Sequence, residues 1–322
     1  MQKVLLEVKN LSKIYETVAA LAGAKKRLIP ALSNVDLQIY KGETLGLVGE
    51  SGCGKSTLAK LITLLEKPSS GSILHEGQNI FSYGKKDLKS YRRRVQLVFQ
   101  DPYSSLNARR SAAAIIEEPL IIQGQRDKQK RKQDVLKLME QVGLTRQQAN
   151  RYPHEFSGGQ RQRIGIARAL ILRPELIVAD EPVSALDVSI QAQILNLLKR
   201  LKNDFGLTYL FISHDLNVIR HMSDRVAVMY LGRIVELADN RDIYDNPLHP
   251  YTRLLLSAAP SYAVFDDKIM TRITGEAGTA PENGCSFQNR CAYKRESCSL
   301  LQPPLKEIAP GRYCACHWAG ES

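Results

Sequence analysis

The sequence predicts an α/β fold in which helices cover a mainly parallel sheet, followed by a small cysteine-rich region. Short apolar segments recur along the chain, and segments with helical spacing separate them, a pattern that predicts parallel strands joined by helices. Five of the six cysteines lie within the last 38 residues, which predicts a separate C-terminal region. A chain of 322 residues is long enough for about two domains.

The predicted elements follow from local patterns of apolar residues. Period-two alternation indicates a strand, apolar residues three or four apart indicate a helix, and a short apolar run that ends at glycine indicates a buried strand. The first two strands look antiparallel, and a charge-rich helical stretch interrupts the later alternation. In chain order, the predictions are strands at Leu5–Lys9, Ala31–Tyr40 and Thr44–Val48, a helix over Ser56–Leu65, a strand at Val95–Phe99, a mostly helical stretch over Ile115–Gly143, a helix over Arg161–Leu172, and strands at Leu176–Ala179, Thr208–Ile212 and Arg225–Tyr230. Prolines and glycines between Ala258 and Gly284 predict a linker or extended connection.

The composition is that of an ordinary globular protein with an excess of positive charge. Hydrophobic residues make up 43%, which argues against a disordered chain. No apolar run reaches the ~18 residues of a membrane span, and the N-terminal run is too short for a signal peptide, so we expect neither an integral membrane protein nor a secreted one. The net charge of +12 favours phosphates, nucleic acid or an anionic lipid surface without selecting among them. The clusters at Lys85–Arg94 and Arg126–Lys132 each indicate a solvated helix face.

The segment Gly49–Ser56 matches the phosphate-binding pattern G-x-x-x-x-G-K-[ST]. Its glycines let backbone N–H groups turn toward a phosphate, and the N-terminus of the following helix adds partial positive charge. Lys55 is placed to reach the β- and γ-phosphates, and the Ser56 hydroxyl to ligate Mg²⁺. The alternative is a glycine-rich turn with an exposed lysine, which the predicted strand before it and helix after it disfavour.

Two adjacent carboxylates, Asp180 and Glu181, directly follow the predicted strand at Leu176–Ala179. Alternate side chains of a strand point in different directions, so one carboxylate can hold Mg²⁺ through a water while the other polarises an attacking water. Two acids at an exposed strand end are an ordinary feature on their own. Together with the phosphate loop upstream, they favour a catalytic pair.

The segment Phe156–Arg163, which reads FSGGQRQR, resembles the signature motif of the ATP-binding-cassette (ABC) ATPases, although its first residue is usually leucine. Further motifs stand in the order of that family: Gln100 in VFQDP, Ser184–Asp187 in SALD and His214 in ISHD. Tyr15 stands where the family has an aromatic residue that stacks on adenine. The resemblance covers the chain up to about residue 256.

The resemblance implies an ABC-type nucleotide-binding domain over residues 1–256, with a P-loop RecA-like core, an antiparallel β subdomain and a helical subdomain at about 101–165. It also implies ATP hydrolysis, with Glu181 as the general base, His214 as a contact to the γ-phosphate, and Gln100 as a sensor of Mg²⁺ and water. The implied nucleotide-binding residues are Tyr15, Gly49, Ser51, Gly52, Cys53, Gly54, Lys55, Ser56, Thr57, Ser157, Gly158, Gly159 and Gln160, and the implied Mg²⁺ ligands are Ser56, Gln100 and Asp180.

The C-terminal region, residues 257–322, resembles the extension found in ATPases of oligopeptide, dipeptide and nickel importers. In that family four cysteines can bind a [4Fe–4S] cluster, which implies Cys285, Cys291, Cys298 and Cys316 as ligands and leaves Cys314 as an extra or substitute. Chemistry alone leaves the choice open, because four thiolates suit Zn²⁺ equally and the intervals fit neither usual zinc nor ferredoxin spacing. Free thiols or disulfides are the remaining alternative.

The resemblance also implies partners. In the family the signature segment caps ATP held by the opposite subunit of a head-to-tail dimer, beneath two membrane-spanning permease subunits served by an extracytoplasmic binding protein. The amino-acid sequence of the signature segment resembles that of the F-type ATPase, so we expect a heterodimer with a D-type paralogue rather than a homodimer. We expect this dimer at the cytoplasmic face of the cell membrane. Alternatives are a nickel or other small-solute importer, a nucleic-acid-associated ABC ATPase, and a non-hydrolysing regulator; we expect no nucleic acid partner.

Overall fold

The structure is a computed structural model that describes residues 3–17, 27–258, 281 and 283–319. These residues form two compact units. The central unit consists mainly of residues 82–212, and the terminal unit consists of the described residues within 4–39, 44–81 and 213–319. The predicted linker between Ala258 and Gly284 lies largely outside the described residues, and the predicted domain boundary at residues 256–257 stays a prediction.

Strands and helices alternate along most of the described chain. The strands are β1 (Val4–Thr17), β2 (Arg27–Tyr40), β3 (Thr44–Val48), β4 (Ser70–His75), β5 (Gln78–Asn79), β6 (Val95–Val98), β7 (Leu176–Asp180), β8 (Thr208–Ile212), β9 (Arg225–Tyr230), β10 (Arg233–Asp239), β11 (Lys306–Ala309) and β12 (Arg312–Cys314). The helices are α1 (Lys55–Ile62), α2 (Lys85–Arg94), α3 (Pro102–Ser105), α4 (Ala112–Ile122), α5 (Lys128–Gln141), α6 (Gly158–Leu170), α7 (Val188–Phe205), α8 (Leu216–Met222), α9 (Asn240–Asp245), α10 (Pro250–Ser257) and α11 (Ser297–Leu300).

The central unit is built on three parallel strands. Strand β7 lies between β6 and β8, with Val95 opposite Leu176 and Leu176 opposite Thr208. All of β8 and the first four residues of β7 are buried, as expected for a parallel sheet that is covered on both faces. Helices α2 and α6 pack against β6, while α4 packs against both α5 and α6. The predicted parallel, helix-covered sheet is therefore confirmed here.

The terminal unit contains two sheets. One has the order β2-β1-β4-β5, in which β1 pairs antiparallel with β4 and β4 with β5, as expected for an antiparallel β subdomain. The antiparallel relation expected between the first two strands stays a prediction. In the other, β3 pairs parallel with β9, and β10, β12 and β11 follow as antiparallel neighbours. Helix α8 packs against β3. The cysteine-bearing segment 285–316 thus contributes two strands, β11 and β12, to this sheet.

Several predicted boundaries differ from the structure. The mostly helical stretch is two helices, α4 and α5, separated at Gly124, whose φ of +87° favours glycine. The first predicted helix ends at Ile62, since Leu64 has a φ of +57°. Strand β1 continues beyond Lys9 to Thr17. Among the described residues, no helix is both long and apolar enough to cross a bilayer.

Candidate functional site

The predicted phosphate loop connects β3 to α1. The five residues of β3 are all buried, and α1 begins at Lys55 directly after Gly54, whose φ of +110° is rare for any residue with a side chain. A Cβ at residue 49 would lie 2.1 Å from the carbonyl oxygen of Met229, so only glycine fits there. Gly54 provides no side-chain cap to the first turn of α1. The N–H groups of that turn are therefore suited to an anion.

Lys55 is the predicted phosphate-binding cation, and it is buried within the loop. Its ammonium donates to the carbonyl oxygens of Gly49, at 2.7 Å, and Glu50, at 3.0 Å, and lies 3.8 Å from the sulfur of Cys53. Only 5% of the Lys55 residue surface is exposed. Burial raises the pKa of the Cys53 thiol, and the nearby Lys55 opposes this only in part. The loop therefore holds one buried cation beside a neutral thiol, an arrangement that a triphosphate would complement.

The structure brings two of the three predicted catalytic residues together in the central unit. The Gln100 side-chain amide donates to Oε2 of Glu181 at 3.0 Å. Glu181 directly follows β7 and has a φ of +46°, an uncommon conformation for a residue with a side chain. Its N–H donates to the carbonyl of Ile212, and its carbonyl accepts from the Ser184 hydroxyl. The turn, rather than strand alternation alone, therefore sets the direction of the Glu181 carboxylate, while Asp180 remains the last residue of β7.

The signature segment forms the N-terminus of α6, which begins at Gly158 rather than at the predicted Arg161. The Ser157 hydroxyl accepts from the N–H of Gln160 at 3.4 Å, and the Gln160 side chain accepts from the N–H of Ser157 at 3.1 Å, which is a capping box. A Cβ at residue 159 would lie 2.5 Å from Ile190, so glycine is required for packing against α7. Phe156 is buried, which explains why an apolar residue other than leucine is tolerated there.

The remaining predicted nucleotide-site residues lie in the terminal unit. Tyr15 is within β1, and its hydroxyl donates to Glu66 at 2.5 Å and bonds to Thr57 of α1. Burial and the Glu66 carboxylate raise the pKa of Tyr15, so it remains a neutral phenol. His214 is exposed and stands between β8 and α8. The roles predicted for Tyr15 and His214 stay predictions.

Four of the C-terminal cysteines line one cavity: Cys285, Cys291, Cys298 and Cys316. The cavity is narrow and partly open to solvent, and His249, Phe287 and Trp318 also line it. All six cysteines are free thiols. Within the described part of the chain, no group of three or more His, Cys, Asp or Glu side chains is arranged to hold a metal ion. The structure therefore gathers the four predicted ligands without providing a preformed ion cage.

Cys314 lies apart from this cavity. It is buried in β12 opposite Glu236 of β10. Burial, followed by the Glu236 charge, raises the pKa of Cys314. Burial also raises the pKa of Cys291, to about 11, and the nearby thiols of Cys316 and Cys285 add to the effect. Burial likewise raises the pKa of Cys285 and of Cys316, so a metal would have to displace the protons of these thiols and of Cys291.

Comparisons with known proteins identify two similar families and several similar proteins. Residues 32–184 match the family described as ABC transporter, and residues 235–298 match the family described as oligopeptide/dipeptide transporter, C-terminal region. The chain is 49% identical to the oligopeptide transport ATP-binding protein AppF of Bacillus subtilis (strain 168) over 98% of each chain. It is 46% identical to the dipeptide transport ATP-binding protein DppF of Escherichia coli (strain K12) over 98% of this chain and 95% of that one.

Solved structures show the same similarity. A post-hydrolysis dimeric structure of the ATP-binding cassette MJ0796, bound to ADP and Pi, superposes with a TM-score of 0.65 at 32% identity, covering 74% of this chain and 99% of that one. The structure of cbiO1 from Clostridium perfringens, part of the ABC transporter complex cbiONQ, gives a TM-score of 0.65 at 25% identity, covering 76% and 92%. The similar structures cover about three quarters of this chain.

Proposed function

This chain belongs to the ABC transporter ATP-binding proteins, and we propose that it is the ATP-hydrolysing subunit that powers an importer for dipeptides or oligopeptides. The observation that carries the proposal is the presence, in one chain, of an intact phosphate loop and a C-terminal region similar to that of oligopeptide/dipeptide transporters. Relatives along nearly the whole length are described as peptide transport ATP-binding proteins. These comparisons lend no support to the nickel, nucleic-acid or regulatory alternatives.

Each predicted residue of the ATP site has a proposed role that suits its surroundings. Lys55 and the first turn of α1 bind the nucleotide phosphates, and Ser56 and Asp180 hold Mg²⁺. When bound, Mg²⁺ neutralises charge that develops on the phosphoryl oxygens. Glu181 polarises the attacking water, and its hydrogen bond from Gln100 keeps the carboxylate in place.

A transport assay tests the function directly. The chain, its neighbouring permease subunits and the binding protein are reconstituted in lipid vesicles, and ATP hydrolysis and solute uptake are measured with dipeptide, oligopeptide or nickel. We expect peptide-loaded binding protein to stimulate both hydrolysis and uptake. Stimulation by nickel alone, or by RNA or DNA with a steep salt dependence, would contradict the proposal.

The partners follow from the same family membership. We propose two permease subunits, a D-type paralogous ATPase and an extracytoplasmic binding protein, with this chain at the cytoplasmic face of the membrane. A signature segment at residues 156–163 and a phosphate loop at residues 49–56 support pairing with a second ATPase, because each would face the other kind of segment on the partner. Co-purification from membranes, with identification of the second ATPase, distinguishes a heterodimer from a homodimer.

We also propose that the cysteine cavity holds a [4Fe–4S] cluster, with Zn²⁺ as the alternative. The donor set fits, because four thiols line a single cavity and thiolates are the usual cluster ligands. When bound, the group would crosslink four positions of the C-terminal region, which is a structural role.

Metal analysis and absorbance of anaerobically purified protein test this assignment. We expect iron and sulfide in equal amounts, and their loss in a Cys298→Ser variant. Cys314→Ser is the matched control, since Cys314 is buried outside the cavity, and it should retain the iron. Stoichiometric zinc without iron would contradict the cluster assignment, and loss of iron in Cys314→Ser alone would contradict the ligand set.

A further inference from the structure

Glu50, the second residue of the phosphate loop, is held at three points. Its carboxylate accepts two hydrogen bonds from the Arg290 guanidinium, from Nη1 at 2.9 Å and from Nη2 at 3.0 Å. Its backbone N–H donates to the Tyr251 hydroxyl at 3.0 Å, and its carbonyl accepts from the Lys55 ammonium at 3.0 Å. Two of these three anchors, Tyr251 and Arg290, belong to residues 235–298, the segment that matches the peptide-transporter C-terminal family.

The ion pair between Arg290 and Glu50 is of a strong type. Bidentate pairs between a guanidinium and a carboxylate combine charge with fixed geometry, and lysine cannot reproduce that geometry. The two side chains are only 13% and 29% exposed, so solvent screens the pair less than it screens a surface pair. The guanidinium also lies 5.9 Å from the ring centroids of both Tyr230 and Phe287. Both rings therefore contribute to holding the guanidinium in its position.

Arg290 is also next to the cysteine cavity. It immediately precedes Cys291, and Phe287, three residues earlier, lines that cavity together with Cys285. The Arg290 N–H donates to the Phe287 carbonyl, and the Phe287 ring packs edge-on against Tyr230 at 5.3 Å. The short segment between two cavity cysteines therefore places its arginine on the phosphate loop.

We infer that Arg290 is a positioning residue for nucleotide binding, which acts through Glu50 to make the affinity for ATP depend on the cysteine-bearing extension. The inference rests on the proposed assignment of Gly49–Ser56 as the nucleotide site. An unpaired carboxylate in that loop would repel a triphosphate, and Arg290 neutralises it. The pair also fixes the loop before binding, which lowers the cost of ordering it around the nucleotide.

Substitution at residue 290 tests the inference. Arg290→Met keeps much of the side-chain volume but removes the charge, and we expect it to weaken ATP binding by about tenfold, from the usual strength of a charge-assisted hydrogen bond. Arg290→Lys should weaken it less. The matched control is Arg312→Met, because Arg312 also belongs to the extension and pairs with a carboxylate, Asp242 at 3.7 Å, but not with the loop. The measurement is the Kd of a fluorescent ATP analogue, with the melting temperature recorded for each variant.

The two partners are then changed together. Glu50→Gln combined with Arg290→Met should recover part of the affinity that Arg290→Met loses, since the unpaired carboxylate is gone. If Arg290 has a purely structural role, Arg290→Met and the control Arg312→Met should lower the melting temperature equally and leave the Kd for the ATP analogue unchanged. This result would overturn the inference. If Arg290→Met fails to fold, the Kd of Arg290→Lys and Glu50→Gln decides, and unchanged affinity in both would again overturn it.

Lys55→Ala separates this inference from the proposed function. If Lys55→Ala binds nucleotide as tightly as the unmodified protein, the assignment of the loop itself is wrong, and the inference falls with it. If Lys55→Ala loses binding while Arg290→Met and Arg290→Lys do not, only the role of Arg290 is wrong.

Discussion

At the scale of single residues, the site depends on backbone conformations that few side chains tolerate. Glu181 has a positive φ directly after a buried strand, and Gly49 lies against a carbonyl oxygen. The sequence motifs named both residues as part of the site, but they could not reveal either constraint. Arg290 was not predicted at all, because its partner Glu50 is 240 positions away and no local pattern links the two.

Replacing Glu181 by glutamine should abolish hydrolysis and retain ATP binding. The substituted side-chain amide still accepts a hydrogen bond from Gln100 but can no longer polarise water as a carboxylate does, and removal of a general base costs about 10²–10⁴ in rate. Phosphate release and nucleotide binding are measured separately. Glu175→Gln is the control, since Glu175 forms a half-buried ion pair with Arg94 in the central unit, and its substitution should leave hydrolysis unchanged. Full hydrolysis in Glu181→Gln would assign the base elsewhere.

Replacing Gly49 by alanine should prevent a folded phosphate loop from forming. The added Cβ would lie 2.1 Å from a backbone oxygen that belongs to β9, so β3 or β9 must shift. Gly165→Ala is the matched control, because a Cβ on that residue of α6 meets no atom within 4 Å. Alanine is favoured over glycine in a helix, so the control should gain up to about 1 kcal/mol in free energy of unfolding. Denaturant unfolding of both variants checks the contrast.

At the scale of elements, the sequence was most informative where an apolar run was short and fully buried. Strands β3, β8 and β9 have the predicted bounds, and β3 and β8 are apolar segments followed directly by Gly49 and Ser213. Helix α7 was missed although it is 18 residues long. Its buried residues Ile194, Leu198 and Leu201 follow helical spacing, and Gly206 ends it in the left-handed conformation, so the signal was present. The SALD motif just before it was interpreted only as one of the motifs that stand in the order of the family.

Helix α6 offers a test that separates its stability from its proposed contact with nucleotide. Ser157→Ala removes the cap and should lower the free energy of unfolding by about 1 kcal/mol. Ser111→Ala is the matched control, since the Ser111 hydroxyl caps α4 by accepting from the N–H of Ala114 at 3.4 Å. Both variants should lose similar stability, but only Ser157→Ala should lose ATP hydrolysis. Equal hydrolysis in the two variants would mean that Ser157 caps α6 without contributing to hydrolysis.

At the scale of the whole molecule, the sequence predicted the α/β class and the cysteine-rich end, and the comparisons confirm the family. The division of contacts into a central and a terminal unit could not be predicted, because it depends on pairings between distant segments such as β3 and β9. The position of the cysteines around one cavity was expected only through the family resemblance. The spacing of the cysteines along the chain offers no reason to prefer Cys316 over Cys314 as a ligand. The structure offers one, because Cys316 lines the cavity whereas Cys314 is buried opposite Glu236.

Hydrolysis should require a second ATPase chain. If the signature segment of one chain caps the nucleotide of another, fractions verified as monomers by light scattering should be nearly inactive. The rate per chain should rise with protein concentration or with added paralogue. Glu181→Gln should form dimers in the presence of ATP, whereas Lys55→Ala should not. Full turnover in verified monomers would contradict the dimer mechanism.

The pairing of β3 with β9 has a consequence for biosynthesis. Strand β3 ends at Val48 and β9 begins only at Arg225, so synthesis at about 5–20 residues per second leaves β3 unpaired on that side for roughly 10–35 s. The nearly continuous central unit is complete by residue 212, before β9 exists. Co-translational folding should therefore start in the middle of the polypeptide. The nascent phosphate loop should depend on chaperones until β9 has been synthesised.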